Sequence, residues 1–242
     1  MSADDVPGPT VATGAGGPPA PVGASSGVDT AGVTDASTEP GTPLTDEVAG
    51  TTAAAVESTA VRDRLLELIR RDAVVRGRVT LSSGLEADSY LDLRRITLSG
   101  LAAPMVGQVL LDLVADLLAD PGVDAVGGLT MGADPVATAV LHAAAARGMD
   151  PLDAFVVRKA AKPHGLQRQI EGPDISGRRV LVVEDTSTTG GSPLAAAEAA
   201  RGAGAEVVAV VTIADRATGA AKAFAAAGLA YRYVYGLDEL GL

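Results

Sequence analysis

The sequence predicts an α/β protein with a central, mostly parallel sheet flanked by helices, and two observations carry that expectation. From about residue 123 onward the short segments "VDAVGGL", "DAFVVR", "VLVVED" and "EVVAVVTI" are almost wholly apolar, as strands buried on both faces are. Between them lie stretches of helical length such as "DPVATAVLHAAAARG" and "SPLAAAEAARGAG", and strand–helix alternation makes the crossovers of a parallel sheet.

The first element is a tail, not a structure. Residues 1 to 50 hold seven of the 14 prolines and nine of the 29 glycines, no isoleucine, no aromatic residue and one leucine, Leu44. Such a segment buries too little apolar surface to offset the entropy of ordering it, so residues 1–51 are expected to be a disordered acidic tail and 52–242 the folded domain. Val61, Leu65, Leu68 and Ile69 then recur at helical spacing, with Arg70 and Arg71 in a last turn. "GRVTLSSGLEADSYLDLRR" reads as a hairpin of Arg78–Leu81 and Ser89–Leu93 joined by a polar turn, Ser82–Asp88. A long amphipathic helix is expected from about Ala102 to Leu118. The alternating segments follow, with Asp134 as the expected cap of one helix and Ser192 and Pro193 opening another. "GAAKAFAAAG" is a further helix and "YRYVYG" a last strand, in which sheet packing accounts for Tyr231, Tyr233 and Tyr235.

Composition excludes several function classes. The net charge of −11 is concentrated at the start, where eight acidic residues precede the first basic one, Arg62. No basic stripe for nucleic acid exists. No run approaches the roughly 18 apolar residues of a membrane span, and no leader pattern is present, so a soluble cytoplasmic protein is expected. With no cysteine and no clustered histidines, a protein-held metal cage is not expected. His142, in an alanine-rich helix, reads as a packing or surface residue.

In open α/β sheets ligands bind at the carboxyl ends of strands, and three ends carry chemistry. In "VLVVEDTSTTGGSP", Glu184 and Asp185 close an apolar strand and can accept hydrogen bonds from a sugar diol. Thr186, Ser187, Thr188, Thr189, Gly190, Gly191 and Ser192 follow, a hydroxyl- and glycine-rich loop leading into a helix N-terminus, which suits a phosphate. A capped helix beside a solvated acid pair would show the same residues. In "RKAAKPHG", Arg158, Lys159, Lys162 and His164 gather donors, and two of the chain's three lysines are here. Such a loop suits closure over a departing diphosphate, although a solvated charge run is the bland alternative. "TMGADP" is a third and weaker strand-to-helix turn. GxGxxG, Gly-Lys and GxSxG patterns are all absent.

These residues resemble a known family. "VLVVEDTSTTGGS" is similar to the phosphoribosyl-diphosphate signature of type I phosphoribosyltransferases, and "FVVRKAAKPHG" resembles the mobile loop of the orotate phosphoribosyltransferases. "VTLSSGLEADSYLDLRR" and "ADRATG" resemble two further elements of that family, so the likeness covers about residues 56 to 242. The resemblance implies a type I fold with a small N-terminal hood. It implies transfer of phosphoribosyl from 5-phospho-α-D-ribose 1-diphosphate to orotate, giving orotidine 5′-monophosphate in pyrimidine synthesis. It further implies Mg²⁺ carried mainly by the diphosphate, and a homodimer with shared active sites. Carried over by position, Glu184 and Asp185 hold the ribose hydroxyls and Thr186–Ser192 cradle the 5′-phosphate. Thr188 and Arg216 meet orotate, Arg158, Lys159, Lys162 and His164 take the diphosphate, and Tyr90 and Leu91 flank the orotate ring. Lys159, Lys162 and His164 carry the catalysis. Two segments depart from the family pattern: Ser82 stands where many members have lysine, and Gly132–Pro135 where others have a Tyr-Lys pair. A purine acceptor would leave Arg216 without a carboxylate, and a regulator on the same fold would need a partner surface.

Overall fold

The computed structural model describes the backbone of residues 45–80, 86–160 and 169–242, and the side chains of these except 45–55, 78–80, 86 and 87. The expected tail lies almost wholly outside the described residues, while residues 44–242 form one compact unit.

Helix α1 (Thr45–Leu68) begins before the expected start and passes directly into a π-helical turn, Ile69–Ala73. Its anchors are Leu65, Leu68 and Ile69, each at most 2 % exposed, as their spacing requires. The hairpin is present but shifted: β1 (Val74–Thr80) pairs antiparallel with β2 (Glu86–Leu91), Val74 opposite Leu91 and Arg76 opposite Ser89. The register breaks between Arg76 and Val79, around Gly77 at φ +119°. Of the expected turn Ser82–Asp88, residues 82–85 lie outside the described residues and Glu86 to Asp88 belong to β2, which ends at Leu91, two residues before the expected Leu93. Leu93 is instead the buried residue before a short helix, α2 (Arg94–Thr97).

Helix α3 (Ala103–Leu113) stops one turn and more before Leu118. The reason is a competitor for its last carbonyls. Arg232 donates to Leu113 O at 3.0 Å while holding both carboxylate oxygens of Asp116, and Leu117 N turns to Val114 O. Strand β3 (Ala125–Leu129), helix α4 (Ala133–Ala146) and strand β4 (Asp153–Val157) come next. They are followed by a two-residue strand, β5 (Ile170–Glu171), which is too short to show a period in the sequence. Then come β6 (Arg179–Ser187), α5 (Gly191–Gly202), β7 (Glu206–Asp215), α6 (Ala220–Ala226), β8 (Ala230–Tyr235) and a final turn of helix, α7 (Leu237–Leu240).

The main sheet runs β5-β4-β3-β6-β7-β8, parallel except for β5. Burial on both faces is explicit along β6. Leu181 and Val183 join the core under α3 and α4, while Val180 and Val182 join the core under α5. The terminal strand is tied to the start of the domain: Tyr235, fully buried, donates its hydroxyl to Arg62 O at 2.6 Å, and the Arg62 guanidinium lies 4.7 Å from that ring. Sheet order has a direct functional consequence. The chain moves outward from β3 to β4 and then returns to lay β6 on the other side of β3, so the crevice at the carboxyl ends of β3 and β6 is the topological switch point. No helix among the described residues is long and apolar enough to cross a membrane.

Candidate active site

Strand β6 continues two residues past the acid pair, held in register by β7 up to Ser187 opposite Asp215. Glu184 and Asp185 therefore belong to the sheet, at the switch point, and are not a loop beyond it. Glu184 is only 5 % exposed. The residue that makes room for it is Gly132, at the start of α4, where a Cβ would lie 1.8 Å from Glu184 Oε1 and 3.2 Å from Asp185 Oδ1. Asp185 N is 3.3 Å from Glu184 Oε1, and Thr186 N donates to Asp185 Oδ1 at 2.6 Å. Burial pushes the Glu184 carboxyl up to about 8, and repulsion from Asp185 and Asp134 adds to the shift. Burial raises the Asp185 carboxyl too, against the Thr186 N–H and the Arg94 charge, which hold it down. Two desolvated carboxyls with few donors form a site suited to ligand hydroxyls or a hard cation.

Asp134 was expected to cap α4. The cap position is Gly132, without a side-chain bond, and Asp134 sits in the first turn, where Thr130 Oγ1 donates to its Oδ2 at 2.7 Å. Ser192 and Pro193 stand in the first turn of α5 as expected, just beyond the cap position. That position is Gly190, at φ +85°, where a Cβ would come 3.0 Å from the Phe224 ring. No side chain caps α5, whose first turn grows directly out of the hydroxyl-rich loop Thr186–Ser192, an arrangement that suits an anion. Thr188 and Thr189 are exposed there, and Thr186 Oγ1 is buried without a partner.

A cleft of about 320 Å³ collects these residues. Glu184, Asp185, Thr186 and Ser192 come from the β6–α5 segment, Thr130 to Gly132 from the end of β3, and Tyr90 to Arg94 from the hood. Lys159 lines it as well. Arg158 is half-buried and turned to Glu171, 3.3 Å away. Lys162 and His164 lie outside the described residues. The ends of their segment are closely held, however: Arg158 N donates to Gln169 O at 2.9 Å, Gln169 Nε2 to Arg158 O at 3.0 Å, and β4 pairs with β5 just beyond. Arg216 follows β7 and is joined to the Thr186–Ser192 loop through its backbone, donating to Ser187 O at 2.9 Å, but it does not line the cleft. His142 is exposed on α4.

Sequence reasoning missed Arg94, a cation facing the cleft, paired with Asp92 at 3.2 Å and close enough to Asp185 to feel its charge. Its four-residue helix left no periodic signal. It also missed that Gly132 and Asp134 pack around Glu184, since only the sheet order joins them. Among the described residues no group of three or more His, Cys, Asp or Glu is placed to share a metal ion. The hard oxygens present, two carboxyls and the unpartnered Thr186 hydroxyl, fit a Mg²⁺ ion that brings most of its ligands with the substrate.

Comparison with known proteins agrees with this geometry. Residues 103–225 match the family model described as "Phosphoribosyl transferase domain". The orotate phosphoribosyltransferase of Streptomyces avermitilis is 74% identical over 183 residues, covering 75% of this chain and 98% of that protein. That of Mycobacterium tuberculosis is 59% identical over 181 residues, 75% of this chain and 97% of the relative. A crystal structure of the Mycobacterium tuberculosis enzyme in complex with 5-phospho-α-D-ribosyl 1-diphosphate superposes with a TM-score of 0.64 at 53% identity, covering 75% of this chain and 99% of the other.

Proposed function

This chain belongs to the orotate phosphoribosyltransferases, and we propose from that premise how its residues divide the work. The enzyme transfers the phosphoribosyl group of 5-phospho-α-D-ribose 1-diphosphate to orotate, giving orotidine 5′-monophosphate and diphosphate in pyrimidine synthesis. The bond from the ribose anomeric carbon to the diphosphate oxygen breaks, and its electron pair leaves with diphosphate. A bond from that carbon to an orotate ring nitrogen forms, and the proton that nitrogen carried is released to diphosphate or solvent.

Such a reaction passes through an oxocarbenium-like state, so the protein must position two substrates, stabilise the leaving charge and exclude water. Glu184 and Asp185 accept hydrogen bonds from the ribose hydroxyls. The N–H groups and hydroxyls of Thr186–Ser192 bind the 5′-phosphate. Arg158, Lys159, Lys162 and His164 neutralise the diphosphate, the last three as catalytic residues. Thr188 and Arg216 hold orotate, the guanidinium forking onto its carboxylate, with Tyr90 and Leu91 beside the ring. When bound, Mg²⁺ supplies charge neutralisation of the diphosphate, with Asp185 and Glu184 as its neighbours on the protein side. The enzyme acts in the cytoplasm as a homodimer with shared sites.

The observation that supports this division most directly is the cleft in which the acid pair, the phosphate loop, Tyr90 and Lys159 meet at the switch point. The test is loss of orotate absorbance on adding phosphoribosyl diphosphate and Mg²⁺. Turnover that is unchanged after chelation of the metal would overturn the Mg²⁺ role, and turnover of uracil or a purine in place of orotate would overturn the acceptor.

A further inference from the structure

The turn after β7 shows an unexplained combination. Asp215 is a carboxylate only 8 % exposed, one of few charged side chains buried in the domain. Its Oδ1 accepts the backbone N–H of Ala217 at 3.1 Å. Ala217 has φ +51° and is the one non-glycine residue with positive φ among the described residues. A side-chain-bearing residue resists that left-handed conformation, so something must hold it there. Between the two stands Arg216, whose N–H is bound to Ser187 O in the phosphate loop. Ala217 itself is exposed, so packing of its side chain does not account for the conformation.

We propose that Asp215 is a positioning residue for the acceptor base: by holding Ala217 left-handed, it sets the direction in which Arg216 leaves the sheet. The inference rests on the reading of Arg216 as the orotate anchor. Arg216 is then fixed at two points, on one side by the loop that binds the 5′-phosphate and on the other by the Asp215 turn. The span between the phosphate and the orotate carboxylate becomes a property of the backbone. A guanidinium fork needs this, because two parallel hydrogen bonds to a planar carboxylate tolerate little misdirection. The bond that matters is accepted by an oxygen, and an amide oxygen serves as well as a carboxylate oxygen.

Steady-state kinetics on the full chain test this, with KM measured for each substrate. Asp215→Ala should raise the orotate KM about tenfold and leave the phosphoribosyl diphosphate KM within about twofold, the scale of one lost buried hydrogen bond. Asp215→Asn should restore the orotate KM. Ala217→Val, at an exposed position that leaves the core intact, should reproduce the orotate-specific rise, because a β-branched residue disfavours φ +51°. That variant keeps the test available if Asp215→Ala does not fold. An Asp215→Asn enzyme as poor for orotate as Asp215→Ala, or an Ala217→Val enzyme with unchanged orotate KM, would overturn the proposal. Arg216→Lys separates the two ideas. If it leaves the orotate KM unchanged the anchor reading fails, and if it raises that KM while Ala217→Val does not, only the positioning role fails.

Discussion

Glu184 combines deep burial with a carboxyl raised to about 8, and the sign of its pH effect follows. Its folded value lies above the ordinary 4.5, so between these values the folded chain holds a proton that the unfolded chain has released. Stability from this group is whole below pH 4.5 and is lost as pH rises through 8. The ligand-free enzyme should therefore show a falling melting temperature from pH 5 to pH 8.5. Glu184→Gln should flatten that slope, raising the melting temperature at pH 8 by about 2–4 °C while turnover falls about a hundredfold. Thermal scans across pH together with the orotate assay check both halves. Gly132→Ala attacks the same carboxyl from the other side. With a Cβ 1.8 Å from Oε1, the Glu184 side chain must swing away, so phosphoribosyl diphosphate binding should weaken about tenfold or more by calorimetry. Unchanged binding would show that the cleft relaxes without moving the acid. The sequence marked the acid pair and the Thr186–Ser192 loop as candidates through their residue types. It could not show that Gly132 makes room for Glu184 or that Arg94 faces the cleft, because both are defined by neighbours distant in the chain.

Elements were more legible than their ends. The apolar strands and alanine-rich helices occur where their periodicity placed them, because burial on two faces or one stripe leaves a pattern in any sequence. Ends depend on partners instead. α3 stops where Arg232 claims its carbonyl, and β6 runs on to Ser187 because β7 is there to pair with it. β5 has two residues and α2 and α7 four each, about one period of their patterns and too few to repeat it, so they were not anticipated. At the β4–β5 arm, Gln169 and Arg158 clasp the base of the segment carrying Lys162, while Lys159 reaches the cleft. A segment anchored at its base and loaded with cations should act on rate and contribute little to folding. Lys162→Ala should lower kcat about 10²–10³-fold with a melting temperature shifted by less than about 2 °C. Equal losses in rate and stability would make the segment structural.

For the whole molecule the proposals concern assembly and the tail. If cationic residues of one subunit serve the site of another, mixing Lys162→Ala with Glu184→Gln protein should recover activity that neither has alone, since hybrid dimers contain one intact site. No recovery after subunit exchange would sink the shared-site reading. Removing residues 1–43 should leave kcat and both KM values within about twofold. The relatives are matched over 97% or 98% of their length by three quarters of this chain, so their chemistry proceeds without a counterpart to the remainder.

From the sequence alone came the fold class and the family, because periodicity and residue type are local properties. Which strand lies beside which was settled only in three dimensions. Returning β6 to the far side of β3 brings Glu184 against Gly132 and Asp134 and sets Arg216 on the Ser187 carbonyl. The depth of Glu184 also emerges only there, since burial is decided by contacts between segments dozens of residues apart.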